Sequence, residues 1–142
     1  MHIPVLVKEI LEMLDVKANG TYVDATVGLG GHAEAVLSML GSGGKLLGID
    51  RDADALEQAR QRLRDRKVSL RKGAFSQIED ILLSMNIKEV DGVLFDLGVS
   101  MFQLKELRRG FSFLSDERLD MRMDLSQELT AWNVVNKYPE QE

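Results

Sequence analysis

Three aspartates and a glycine cluster carry the chemistry this sequence can do. The stretch Tyr22-Val23-Asp24-Ala25-Thr26-Val27-Gly28-Leu29-Gly30-Gly31-His32-Ala33 sets its glycines between a short apolar run and a segment of helical spacing. Glycines in such a turn permit left-handed backbone and let a ligand approach the main chain with no Cβ in the way. A second apolar run, Lys45-Leu46-Leu47-Gly48-Ile49, closes on Asp50. It falls about twenty residues past the glycines, the separation at which a βαβ unit offers a carboxylate to ribose hydroxyls. A third run, Gly92-Val93-Leu94-Phe95, closes on Asp96.

The nucleotide is decided by Asp24. Gly28-Leu29-Gly30-Gly31-His32-Ala33 satisfies the dinucleotide pattern G-x-G-x-x-G/A. A carboxylate at the end of the strand before it, however, repels a pyrophosphate and attracts a cation across a few ångströms. S-adenosylmethionine carries an ammonium, a sulfonium and one carboxylate, with no phosphate. The sequence therefore favours this cofactor over NAD, with a ligand-free glycine turn as the other alternative.

These residues need a scaffold, and the hydrophobic spacing predicts one. Val7, Ile10, Leu11 and Leu14 recur at helical spacing and stop at Asn19-Gly20. A strand over residues 21–24 leads through the glycines to a helix over 32–40, then a strand over 45–49. Asp52 is placed to cap a helix reaching residue 64, followed by a strand over 68–71. Ser76 is placed to cap a helix with Ile78, Ile81 and Leu82 inward, and residues 91–96 read as a buried fourth strand. Strands alternating with helices predict an α/β parallel sheet with right-handed crossovers, its ligand site beyond the carboxyl ends of the strands. Asp24, Asp50 and Asp96 all fall at such ends, with Phe75 just past the third strand. In this arrangement Asp50 holds the ribose, Phe75 flanks the adenine, and Asp96 closes the far side near the sulfonium. His32, opening a helix, either meets the ligand carboxylate or is structural.

After Asp96 the pattern changes. A loop at 98–100, one helical turn at 103–107, an aromatic Gly110-Phe111-Ser112-Phe113 stretch and a helix from a Thr130 cap to 136 suggest a small helical module. Two regions are expected: residues 1–100 for the cofactor, and 101–142 as the start of a helical insertion for the substrate.

Composition narrows the class further. The chain has 142 residues, 44% hydrophobic and 29% charged, the profile of a globular domain. With no cysteine and two histidines a zinc site is not expected, and the cysteine usage suits a reducing, cytoplasmic setting. No apolar run reaches the roughly 20 residues of a membrane span, so no membrane partner is expected. The net charge of −5 supplies no global pull toward nucleic acid, and no DNA partner is expected. The basic run Arg60, Arg62, Arg64, Arg66, Lys67, Arg71 and Lys72 reads as a solvated helix face, leaving Arg108 and Arg109 as the better RNA candidates. Met121 and Met123 read as core fillers.

Six ordered motifs carry a family resemblance. They are His2-Ile3-Pro4-Val5-Leu6, Asp24 through His32, Asp50-Arg51-Asp52, Asp96-Leu97-Gly98-Val99-Ser100, Arg109-Gly110-Phe111-Ser112-Phe113 and Leu119-Asp120-Met121-Arg122-Met123-Asp124. Together they resemble the N-terminal portion of the MraW/RsmH family, the ribosomal RNA small-subunit methyltransferases H. The resemblance implies a class I, Rossmann-like methyltransferase that moves a methyl from S-adenosylmethionine to cytosine N4 in the decoding region of 16S ribosomal RNA, within the small subunit. Carried over by position, it implies cofactor contacts at Gly30, Gly31, His32, Asp50, Phe75, Asp96 and Gln103. Asp96 is the catalytic candidate.

The chain departs from the family pattern in two respects. Met101 and Phe102 stand where the family follows Gly-Val-Ser with a serine and a proline, which alters the loop expected beside the target base. The family is also longer and returns from its insertion to complete the sheet. The expectation is thus an incomplete form whose sheet stops after strand four, with an apolar edge that invites a second copy. The alternatives are a non-catalytic cofactor-binding fragment and a small-molecule methyltransferase on the same scaffold.

Overall fold

The structure, a computed structural model, describes residues 4–64 and 66–140. The chain divides into two compact units, one running to Leu97 and the other from Gly98.

The first unit is built on four parallel strands: β1 (Thr21–Asp24), β2 (Lys45–Asp50), β3 (Val68–Lys72) and β4 (Gly92–Leu94), in the order β3-β2-β1-β4. The chain steps outward from β1 to β2 to β3, then returns to lay β4 on the other side of β1. That reversal makes the carboxyl ends of β1 and β4 the topological switch point, where open sheets of this kind bind ligands.

Successive strand residues point to opposite faces, and both faces are covered. Tyr22 and Leu46 pack with Val36 and Leu37 of α2 (Gly31–Met39) and Leu56 of α3 (Ala53–Arg62). Leu11 and Leu14 of α1 (Val7–Leu14) join them. Val23, Leu47 and Ile49 pack on the opposite face against Ile78, Ile81 and Leu82 of α4 (Ile78–Ser84). Each fully buried Leu or Ile stabilises this arrangement by roughly 1.5–3 kcal/mol.

Local chemistry sets the ends of the elements. Asp52 caps α3 by accepting hydrogen bonds from the backbone N–H of Asp54 and Ala55. The helix ends at Arg62, two residues before the expected stop. Ser76 does not cap α4: a 3₁₀ turn over Phe75–Gln77 precedes the helix, and Gln77 Oε1 accepts the Ala74 N–H at 2.9 Å instead. The fourth strand is shorter than residues 91–96 and only half-buried. Its ladder ends at Leu94 because the Asp96 N–H turns to donate to Thr26 Oγ1 at 2.7 Å, leaving Phe95 48% exposed.

The second unit contains α5 (Met101–Lys105), a 3₁₀ turn at Leu107–Arg109 and α6 (Ala131–Lys137). α5 begins earlier than expected because Ser100 Oγ accepts the Gln103 N–H and so caps it. Thr130 caps α6, as the spacing predicts. Backbone bonds from Met121 N–H to Arg109 C=O, Ala131 N–H to Asp120 C=O and Trp132 N–H to Leu119 C=O tie the irregular segments together. Met121 is not the core filler expected: it sits at φ 58° with 45% of its surface exposed, because that left-handed turn spends its backbone inward and its side chain outward. No helix among the described residues is long and apolar enough to cross a membrane.

Ile49 is fully buried at the centre of the α4 face. We expect Ile49→Ala to cost about 2–5 kcal/mol of stability through the lost contacts and the cavity left behind. Urea unfolding followed by circular dichroism measures it, and a cost below about 1 kcal/mol would show that this face can collapse onto the vacancy.

Candidate functional site

Asp24 is the last residue of β1, held between Gly48 of β2 and Leu94 of β4, and is 2% exposed. Its Oδ1 accepts the Thr26 N–H at 3.2 Å, the local turn that Asp-x-Thr sequences favour. Its Oδ2 is buried with no hydrogen-bond partner. Burial pushes this carboxyl up to about 7, aided by the neighbouring charges of Asp50 and Asp96 and opposed by Thr26 and His32. A desolvated carboxylate with a bare oxygen, repelled by two others, is a site that a cation would relieve.

Asp50, closing β2, reaches the glycine turn. Its Oδ2 accepts the Gly28 N–H at 2.8 Å and its Oδ1 the Asp52 N–H at 2.9 Å. Burial raises this carboxyl as well, against the lowering by those two backbone donors. Each oxygen keeps a lone pair for a hydroxyl donor. Gly30 takes φ 80° as the N-cap of α2 and rests over Leu63, so it must be glycine to start the helix here. A glycine offers no side-chain cap, which leaves the first N–H groups of α2 to a ligand. Gly31 lies against Pro4, whose Cγ would clash with a Cβ added there.

His32 is buried in the first turn of α2. Its Nε2 sits 2.8 Å from the Val5 carbonyl, an acceptor only, so Nε2 carries the proton. Its Nδ1 faces Asp96 Oδ2 at 3.7 Å. His32 thus joins the chain before α1 to the switch point at the strand ends. Asp96 is exposed, with its backbone anchored on Thr26. Phe75 packs edge-on against Phe95 with ring centroids 6.0 Å apart, and the Arg51 guanidinium stands 6.0 Å above the Phe75 ring.

The fold therefore assembles Asp24, Gly28, Gly30, Gly31, His32, Asp50, Phe75 and Asp96 in the first unit, at and just past the strand ends. Gln103, Arg108 and Arg109 belong to the second unit. Gln103 is buried, and its Oε1 accepts the Ser100 N–H at 3.0 Å. Arg108 is exposed and pairs with Glu106 at 3.3 Å. Arg109 corrects an expectation: it is 1% exposed and donates to the Met123 carbonyl at 3.0 Å, so it braces its own unit and is withdrawn from RNA phosphates. No group of metal-ligating side chains occurs among the described residues. Sequence reasoning missed Thr26, which ties Asp24 to Asp96 through its N–H and hydroxyl. The Asp-x-Thr pattern could have signalled the first bond; the second spans seventy residues and could not be seen.

The bare Asp24 oxygen has a measurable consequence. Its carboxyl titrates near 7 in the fold, against 3.8 ordinarily, so the folded state takes up a proton between those values. The contribution to stability is full below the ordinary carboxylate range and is lost as pH rises through about 7. We expect the free protein to lose stability relative to Asp24→Asn between about pH 4 and pH 7. Parallel urea midpoints for the two proteins across that range would show no pH-dependent gap if Asp24 were already ionised at low pH.

The geometry has close relatives. The MraW methylase family matches residues 1–142. The chain is 46% identical over 142 residues to the ribosomal RNA small subunit methyltransferase H of Clostridium botulinum (strain Kyoto / Type A2), covering 99% of this chain and 46% of that protein. Identity and coverage are the same for the protein of that name from Caldicellulosiruptor saccharolyticus. The chain thus spans about half the length of the curated relatives it matches. Among solved structures, a candidate rRNA methylase from Clostridium thermocellum superposes with a TM-score of 0.58 at 25% identity, over 70% of this chain and 54% of that one. With its four-stranded parallel sheet, its glycine turn and this full-length match, the chain belongs to the MraW methylase family.

Proposed function

We propose that this chain works as an S-adenosylmethionine-dependent methyltransferase of ribosomal RNA, directed to cytosine N4 in the decoding region of the 16S molecule. The observation that carries the cofactor reading is the buried, unpartnered Asp24 Oδ2 beside an uncapped helix start. A dinucleotide would bring a pyrophosphate to that oxygen; a cationic amino acid moiety satisfies it. The names of the relatives that match along 99% of this chain support the RNA substrate.

The residues divide the work by their chemistry. Asp24 accepts from the ligand's ammonium, and the first N–H groups of α2, at Gly31 and His32, receive its carboxylate. Asp50, already oriented by Gly28 and Asp52, accepts from the ribose hydroxyls. Phe75, 42% exposed, supplies an apolar face for the adenine. Bound there, S-adenosylmethionine provides a methyl on a positively charged sulfur.

Cytosine N4 is a weak nucleophile because its lone pair is delocalised into the ring. Asp96 stands exposed beside Asp24 and His32, and accepts a hydrogen bond from the amine as positive charge develops on it. That hydrogen bond aligns the nitrogen, and the proton it loses on methylation passes on to solvent. Alignment of this kind accounts for a large share of the rate, since a misplacement of about an ångström costs about a hundredfold.

Two measurements test the reading. Calorimetry is expected to show S-adenosylhomocysteine binding more tightly than NAD. Asp50→Ala is expected to weaken that binding by one to two orders of magnitude, the loss of hydrogen bonds to a charged group worth about 1.5–3 kcal/mol. Asp52→Ala is expected to spare affinity and cost about 1 kcal/mol of stability as a lost helix cap. Equal affinity losses in both folded variants would remove Asp50 from the site. For the substrate, tritium transfer from labelled S-adenosylmethionine to undermethylated small subunits is followed by nucleoside analysis. Label in any nucleoside other than N4-methylated cytidine would overturn the assignment.

A further inference from the structure

The second unit contains an aromatic ring with two cations on it. The Arg118 guanidinium lies 4.2 Å from the centroid of the Trp132 ring, and Lys137 Nζ lies 5.7 Å from the same centroid. Neither cation makes an ion pair with a carboxylate among the described residues. The other basic residues near them are committed elsewhere. Arg122 pairs with Asp120 at 2.7 Å, Arg108 pairs with Glu106, and Arg109 is buried.

This grouping is held in place by backbone, not by chance side-chain rotamers. The Trp132 N–H donates to the Leu119 carbonyl at 2.7 Å and the Ala131 N–H to the Asp120 carbonyl at 2.8 Å. Those bonds fix the segment carrying Arg118 against the first turn of α6. Lys137 ends the same helix, so α6 carries Trp132 and Lys137 while the segment bonded to its first turn carries Arg118. A guanidinium stacked on an indole keeps its N–H edge free for an anion while losing little conformational freedom on binding.

We propose that Arg118, Trp132 and Lys137 form a platform for single-stranded RNA, the cations taking phosphates and the indole edge meeting a base. Two cations grouped on one aromatic ring is a combination that tracks an unpaired strand: charge for the backbone, a ring for the base. A carboxylate-bearing protein partner could use the cations but would leave the aromatic without a matching group. The chain's net charge of −5 gives RNA no global attraction, so binding must come from local clusters of this kind. The inference rests on the reading of an RNA substrate and deepens it by naming a surface.

Trp132 is the only tryptophan in the chain, so its fluorescence reports on this surface alone. The experiment titrates the full chain with oligouridylate, reading tryptophan emission and the anisotropy of labelled RNA together, at several salt concentrations. We expect one dissociation constant from both signals. Arg118→Gln and Lys137→Gln should each weaken binding several-fold, and each should lower the slope of log affinity against log salt by about 0.7, one phosphate contact on a single strand. Both side chains are exposed, so the variants keep the fold, and an unchanged affinity for S-adenosylhomocysteine confirms it in each. RNA affinity and salt slope unaltered in both variants would overturn the platform while leaving the cofactor reading intact. Polyaspartate binding as tightly as oligouridylate would also overturn it, in favour of an acidic protein partner. Loss of cofactor binding with the RNA effects preserved would instead count against the function proposed above.

Discussion

The burial of one carboxylate organises the first unit. Asp24 ends the central strand β1, where β2 and β4 flank it and water is excluded, and only one of its oxygens is hydrogen-bonded within the protein. Asp50 and Asp96 add charge of the same sign. A fold selected for stability alone would place an apolar side chain here, since a buried ionisable group without a full set of partners is costly. The cost makes sense when the missing partner is a cation brought from outside. In the proposed reading, binding removes a penalty already present in the free protein, so part of the affinity comes from relief and not from new contacts.

The surroundings of Asp24 act as its support. Thr26 donates its N–H to Asp24 and accepts the Asp96 N–H on its hydroxyl, so the Asp24 carboxylate and the Asp96 backbone are set by one residue. Asp50 does the same for the glycine turn by accepting the Gly28 N–H. His32 adds a third tie, its Nε2–H donating to the Val5 carbonyl while Nδ1 faces Asp96. The site is therefore held by short hydrogen bonds between the ends of strands, and the flexible glycines are restrained by carboxylates rather than by packing alone. This is the preorganisation that a transfer reaction depends on, because reacting groups must be aligned before the barrier is crossed.

The second unit uses its charges differently. Arg109 is buried as a brace, and Arg122 satisfies Asp120 and the carbonyl of Leu125. The hydrogen bond from Arg122 holds the Asp120 carboxyl below its ordinary range. These arginines substitute for a hydrophobic core in a segment with few regular elements, since a planar guanidinium can satisfy several carbonyls and a carboxylate at once. Arg118 and Lys137 are left on the surface by that division of labour, stacked on an indole instead of paired with acid.

The sequence alone determined most of the elements and put the three aspartates at or just past strand ends. Strand one was legible to the residue, and Asp52 and Thr130 read correctly as caps, because these depend on neighbours three or four positions away. The alignment of Asp24, Asp50 and Asp96 at strand ends followed from the alternation of strands and helices, and the structure brings them into mutual electrostatic range. Only the tertiary structure decided which oxygen of Asp24 stays bare, that Thr26 joins β1 to the end of β4, and that Phe75 meets Phe95 across the rim. Arg109 shows the limit most clearly. Beside Arg108 in the sequence it looked like a phosphate contact, yet it folds inward to a carbonyl fourteen residues away. Spacing along the chain fixes which face a residue takes within its own helix or strand; whether that face meets water, a ligand or another segment is set by contacts between residues far apart in sequence.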